Sequence, residues 1–458
     1  MRPEPMSRIR LLTLVLAVPL GGLVLLQIHS PGSTDFFPTL MRRVSLGTAV
    51  LGLLLLGIIR LAGWAAARSR ERLVLLFRPG LYVTVFSIAT LVLVHAGIAV
   101  AIPLYYFFAI SLLPVPLIAV IGSAAMIRGL FKLIQNQEIE VLGVNVDPNK
   151  APRLWEHVHR IANRMGALRP KHITVGLGPG FFVTEATVKC LDSGITGRTL
   201  FCPLPLARIL TVQQFSSAIA HELGHFKGAD IAFGKKFYPI YHGTSAALQS
   251  VASSYGGGLI TISPIGILIF FMETFAFAER RLARARELAA DDEGAKVTDA
   301  RTMAVALVKQ CLFIRASISL YFRVIKGLRA RSMFINLSRF LTEEMGNALT
   351  PERLEGVAET EVMHPVDSHP PLRARLEALG VTMEEVSEES LMIDVSDPAI
   401  GLIDDAESLE RQITIAVQQR IAERLGIDML SFPPVIPVGS NWAAKRRRRR
   451  TKAKQRRR

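Results

Sequence analysis

The chain has 458 residues, half of them apolar, with a mean hydropathy of +0.34 and 20% charged side chains. That balance excludes an ordinary soluble protein, and equally one that lies wholly in the bilayer. The formal net charge of +16 is concentrated at one end: Lys445 to Arg458 hold eleven basic residues and no acid, which leaves about +5 for the rest.

Apolar stretches crowd the first third. Residues 11–28 and 44–59 carry no charge, and 81–127 is a 47-residue run whose only ionisable side chains are His95, Tyr82, Tyr105 and Tyr106. A span needs roughly 20 apolar residues. The pattern predicts a membrane region over 1–134 with four spans, 11–28, 44–64, 81–101 and 104–127, the last pair turning near Pro103. The first follows Arg2, Arg8 and Arg10 but precedes no small-x-small cleavage site, so it reads as an uncleaved anchor. Basic residues before it, at Arg68, Arg70, Arg72 and Arg78, and at Arg128 and Lys132, place both ends of this unit in the cytoplasm. The expectation is a multi-pass protein of the plasma (inner) membrane whose remainder faces the cytoplasm. Cys190, Cys202 and Cys311 have no metal-ligand spacing and are too few for a disulfide framework, which suits a reducing compartment; they read as small buried hydrophobes.

Downstream, residues 150–166 place Leu154, Val158, Ile161 and Met165 at helical spacing. "KHITVGLG" reads as a strand. "RTLFCPLPLARIL", 198–210, is broken by Pro203 and Pro205 and reads as an edge strand and loop. Thr211 and Gln214 have capping-box spacing and predict a helix that Gly228 would stop. That helix carries His221-Glu222-x-x-His225. Residues four apart share a helix face, so both imidazoles can hold one ion with Glu222 beside them. A catalytic zinc takes three protein ligands and keeps one position open, so one ligand must come from elsewhere. An Ala-rich helix predicted at about 277–297 carries Glu287 and Asp291 on one face. One carboxylate could ligate while the other accepts a proton from a ligand imidazole. A salt bridge with Arg284 or Arg286 is the competing reading for Glu287.

"HELGHFKGAD", "RARELAAD" and "SHPPLRARLEALG", in that order, resemble the HtpX-like and CAAX-prenyl-protease family of membrane zinc metallopeptidases, gluzincin in type. The resemblance covers roughly 150–230, 275–300 and 365–380. It implies Glu287 as third zinc ligand, Asp291 as the second motif's aspartate, His369 as a group steadying the transition state, and Arg375 as the arginine that closes the last motif. It also implies one zinc per chain. Two departures stand out: Glu185 replaces the asparagine expected on the strand that aligns substrate, and Ala283 replaces a common serine.

The expected fold is mainly α: a four-helix membrane region, then an α+β zincin-type metallopeptidase domain over 135–385 with a small edge sheet and the HExxH helix. Residues 256–278 are expected as a re-entrant or interfacial apolar segment, because His225 and Glu287 must lie on one side of the bilayer. A helical extension over 386–440 and a disordered basic tail over 441–458 follow. The expected activity is zinc-dependent hydrolysis of peptide bonds, with Glu222 and His369 catalytic, in protein or peptide substrates that the resemblance to HtpX makes membrane proteins. The tail suits anionic lipid or nucleic acid. The alternatives are a membrane-anchored scaffold, or a nucleic-acid or lipid tether with a structural metal, and an intramembrane metalloprotease. Polar residues flanking the motif (Gln213, Gln214, Lys227, Asp230) weigh against the last.

Overall fold

A computed structural model of the chain describes residues 8–107, 138–227, 259–346, 349–358, 361–363, 368–394 and 396–429. They fall into two compact units, one drawn from 1–137 and 232–283, the other from 138–231 and 284–458.

In the first unit α1 (Arg8–His29), α2 (Phe36–Ala66) and α3 (Arg70–Phe107) pack together. Both α2 and most of α3 (Glu71–Tyr106) are long and apolar enough to cross a membrane. At 1.5 Å per residue α2 is about 46 Å long, enough for a bilayer with its headgroups. One of its faces, including Leu46, Leu54, Ile58 and Leu61, is exposed, and the other is buried. The buried side uses small residues: a Cβ on Gly52 would strike Val15 of α1, so the glycine lets the helices approach. The turn expected near Pro103 is absent, for α3 runs unbroken to Phe107. A proline removes one hydrogen bond, but in an apolar segment no water competes for the rest of the ladder. The expected span at 104–127 lies outside the described residues beyond Phe107.

The second unit is built on a four-stranded sheet of order β2-β3-β7-β4. Its strands are β2 (Gly143–Asn145), β3 (His172–Gly176), β4 (Phe182–Thr184) and β7 (Thr199–Pro203). Only the β3–β7 pair is parallel. A smaller sheet of order β1-β5-β6 joins β1 (Ile139–Glu140), β5 (Thr187–Lys189) and β6 (Gly194–Thr196). The sequence reading of 198–210 needs correction. β7 is an interior strand, buried at every position, and the following residues form the short helix α5 (Leu204–Ile209) rather than a loop. Pro203 ends the strand, and Pro205 falls in the first turn of α5, where no N–H is required. The edge belongs to β4 instead.

Three helices matter for the site. α4 (Pro152–Met165) takes its predicted place. α6 (Val212–Gly224) has the full capping box: Thr211 Oγ1 accepts from Gln214 N and Gln214 Oε1 from Thr211 N, both at 3.3 Å. It stops at Gly224, earlier than expected, with His225 as C-cap in helical dihedrals. α7 (Leu259–Val297) joins the apolar stretch and the second motif in one 39-residue helix, longer than the predicted 277–297. Beyond Pro264 it has no proline and only Gly266 before Gly294, so nothing interrupts it. Most of the segment before it, 228–258, with Gly228 and Asp230, lies outside the described residues, as does the basic tail.

α8 (Ala300–Arg329) is also apolar enough to span a membrane. It is instead a core helix of the second unit, with Met303 to Val308 wholly or almost wholly buried beside α6. Cys190, Cys202 and Cys311 are free and buried, as expected.

Candidate active site

α6 is buried from Gln214 to Leu223, so it presents its polar residues to protein on every side. Phe215 meets Phe181 edge to face at 5.2 Å, and Ser216 Oγ lies 2.9 Å from His157 Nε2 of α4. On the opposite side α7 approaches closely. A Cβ on Gly294 would come within 2.9 Å of Ser217 O and 2.6 Å of Met303 Sδ, so only glycine allows the contact. Gly224 faces Ala290 at ordinary van der Waals distance. These small residues bring α7 near enough for Glu287 and Asp291, one turn apart, to reach the histidines.

His221, His225 and Glu287 converge, with one ligand atom from each lying within 4.8 Å of the others. Among the described residues this is the one group of its kind. Glu287 Oε2 is 3.5 Å from His221 Nε2, and Glu287 Oε1 is 3.6 Å from His225 Nε2. These separations are long for hydrogen bonds. They suit the edges of a coordination tetrahedron, which metal–ligand lengths of about 2.0–2.2 Å put near 3.3–3.6 Å. Two imidazoles and a carboxylate therefore fit a metal with one position left open.

The far side of His221 is held as well. Its Nδ1 lies 2.8 Å from Asp291 Oδ1, so the carboxylate faces the Nδ1–H and leaves Nε2 as the atom turned to a metal. Arg375 grips the same aspartate in bidentate fashion, Nη2 to Oδ1 at 2.5 Å and Nε to Oδ2 at 2.7 Å. Arg375 is supplied by α11 (Leu372–Ala378), which comes after α9 (Leu337–Gly346), α10 (Pro351–Ala358) and the paired strands β8 (Glu361–Met363) and β9 (Ser368–Pro371). His369 stands on β9, and its side chain lies outside the described ones. The competing contact to Glu287 is present too, with Arg286 Nη2 at 3.2 Å from Glu287 Oε1. Arg284 is exposed.

Burial sets the electrostatics. Desolvation pushes the Glu222 carboxyl up to about 7, aided by the charge of Glu287 and opposed by His221, Arg375 and Arg286. Burial alone would lower His221, yet the carboxylates of Asp291 and Glu287 beside its ring raise it to about 9 in the metal-free protein. Burial likewise opposes ionisation of Asp291, but Arg375 and His221 overcome it and hold its carboxyl below the ordinary value. Asp291→Ala should leave the Arg375 guanidinium, 3% exposed, without its carboxylate. Breaking such a buried pair costs about 3–5 kcal/mol. Thermal denaturation of the detergent-solubilised variant is expected to show a clearly lower midpoint, and an unchanged one would mean the pair is not formed.

Glu185 sits just past β4, in the turn before β5, and is buried. Sequence reasoning missed Lys309 and the depth of Gln214. Gln214 carried a signal, the capping box, but only a local one. Lys309 carried none, since one lysine in an apolar helix reads as a snorkelling surface residue.

A helix with two histidines, a second helix with a carboxylate and a small mixed sheet with an open edge define a zincin-like α+β metalloendopeptidase, and the apolar helices make it membrane-bound. Residues 175–382 match the model of Peptidase family M48. A protein named Protease HtpX homolog from Archaeoglobus fulgidus is 24% identical over 64% of this chain and 86% of the relative. One from Methanocaldococcus jannaschii is 27% identical over 46% and 76%, and one from Burkholderia cenocepacia 28% over 36% and 58%. No solved structure matches. Over 175–382 the chain carries a domain of the M48 peptidase type, similar to that of the HtpX homologues.

Proposed function

We propose that the chain is a zinc-dependent endopeptidase that cuts membrane proteins from the cytoplasmic side of the inner membrane. The convergence of His221, His225 and Glu287 beside a buried Glu222 carries this reading. A mixed nitrogen and oxygen set of three, with no cysteine, suits catalytic zinc better than a structural site, which fills all four positions. Bound zinc supplies Lewis acidity, enough to bring the pKa of a water to about 7 and to polarise a carbonyl.

Glu222 takes the proton of the attacking water and passes it to the departing amine. Asp291, itself held by Arg375, keeps His221 in the donor tautomer. His369 donates a hydrogen bond to the tetrahedral oxyanion, a contribution of about 2.7–4 kcal/mol for one such donor. β4, with one ladder partner among the described residues, offers the substrate an open strand edge. Glu185, at the end of that edge, would favour substrates with a basic or hydrogen-bond-donating group there.

The orientation follows from charge. Trp64 lies near the end of α2, with the Arg68 guanidinium 3.5 Å over its ring, and Arg70, Arg72 and Arg78 follow. An aromatic anchor next to a basic cluster marks a cytoplasmic interface. The basic tail would then lie on the anionic leaflet, at about 1 kcal/mol per basic residue. The four-span count and the extension and tail boundaries belong to the same proposal. Casein cleavage by the detergent-purified protein should stop on chelation and return with zinc; cleavage that survives a chelator would sink the metal assignment. Because His221 holds a proton in the metal-free protein, apparent zinc affinity should rise with pH up to about 9.

A further inference from the structure

Residues beyond 382 lie outside the matched peptidase region, yet they meet α6 at its N-terminus. The Val212 N–H donates to Asp397 O at 3.1 Å, and the Ala399 N–H donates to Leu210 O at 3.0 Å. This antiparallel bridge is centred on Thr211 and Pro398. Val212 is the first residue of α6, where the N–H has no acceptor inside the helix, so the bridge satisfies it.

One step further on, Gln214 is held from several sides. Its Oε1 accepts from Thr211 N at 3.3 Å and from Lys309 Nζ at 3.1 Å, and its Nε2 donates to Glu389 Oε1 at 3.3 Å. Glu389 Oε2 accepts in turn from Arg301 Nε at 3.2 Å. Glu389 belongs to α12 (Met383–Ser390), and Lys309 to α8. Lys309 is only 1% exposed, where an apolar side chain of equal length would be cheaper to bury. What a lysine adds there is direction: its ammonium fixes which way the Gln214 amide points.

The extension is itself pinned to the unit. Its last described helix, α13 (Ala406–Leu425), buries Glu410, Thr414 and Gln418 completely. Glu410 takes Arg208 at 2.6 and 2.7 Å, and Thr414 Oγ1 accepts from Leu337 N at 2.9 Å. Gln418 pairs with the Phe334 backbone in both directions, at 2.8 and 2.9 Å. Each contact reads a backbone or a charge, so the extension has one seating.

We propose that residues 383–425 are a positioning element of the peptidase, fixing the first turn of the helix that carries His221, Glu222 and His225. Gln214 is the positioning residue, Lys309 and Glu389 are its two anchors, and the bridge made by 397–399 sets the helix start. The proposal rests on the base role given to Glu222. A helix moves as a rod, so a shift at Thr211 reaches Glu222, and a 1 Å misplacement can cost about 100-fold in rate.

The test uses the full-length protein in detergent with Glu389→Ala, Glu389→Gln and Lys309→Met. The alanine and methionine variants should keep their zinc and the KM of the parent while kcat falls about tenfold. Glu389→Gln retains the acceptor oxygen and should recover most of the rate. Amide exchange over residues 212–216, read with and without metal, should quicken in the alanine and methionine variants alone. Parental kcat and exchange in both would overturn the proposal. Should Lys309→Met fail to fold, the Glu389 pair, whose side chain is 39% exposed, decides alone. Cleavage that persists in Glu222→Gln would overturn the base role and leave the exchange comparison standing.

Discussion

Glu222→Gln is expected to lower kcat by about 10³-fold, within the 10²–10⁴ range of a general acid–base group, while the protein keeps its zinc. Glutamine has the same shape and removes a buried charge, so the fold should not suffer; Glu222 is 4% exposed. The pH dependence has a defined sign. A carboxyl raised to about 7 by burial is protonated below that value, and only its ionised form can take a proton. A cation at the three ligands pulls this value down, so the acid limb of kcat/KM falls at or below about pH 7. The residual rate of the glutamine variant should lack that limb. Zinc content and casein cleavage across pH check both statements, and a variant that loses its metal would contradict the role assigned to Glu222.

Much of this site could be read from sequence because its parts are local. The capping box at Thr211 and Gln214, the histidines one turn apart and the carboxylates one turn apart each follow from helix periodicity alone. What periodicity cannot supply is which helices meet. The approach of α6 and α7 depends on Gly294 facing Ser217, a contact between residues 77 positions apart that no window detects. The same limit explains the error over 198–210. Two prolines argued for an edge, whereas pairing with β3 and β4 put β7 inside the sheet and left the prolines at its end and in the next helix. In the extension, nothing in the sequence marks Glu410, Thr414 and Gln418 of α13 as buried, because their partners lie at Arg208 and around Phe334. Polar residues that bond across the fold carry no hydrophobic signal.

Glu287→Ala should cost both metal and cleavage, and it separates the two contacts this carboxylate makes. If Glu287 serves the metal, its loss leaves two imidazoles. An outer partner is worth about 10–100-fold in metal affinity, so loss of a ligand should exceed that. If its main task is to neutralise Arg286, 3.2 Å away, the variant should lose stability and keep its zinc. Arg286→Met resolves the remaining ambiguity, since it removes the ion pair and leaves the carboxylate in place. On the ligand reading, Arg286→Met retains about one zinc per chain and measurable cleavage, whereas Glu287→Ala retains neither. The geometry favours that outcome: both oxygens of Glu287 stand 3.5–3.6 Å from the two ring nitrogens, a spacing that a salt bridge to Arg286 alone gives no reason to keep. Metal analysis and casein cleavage on the two variants, side by side, decide between them. An alanine variant that keeps its zinc would move the third ligand elsewhere in the chain.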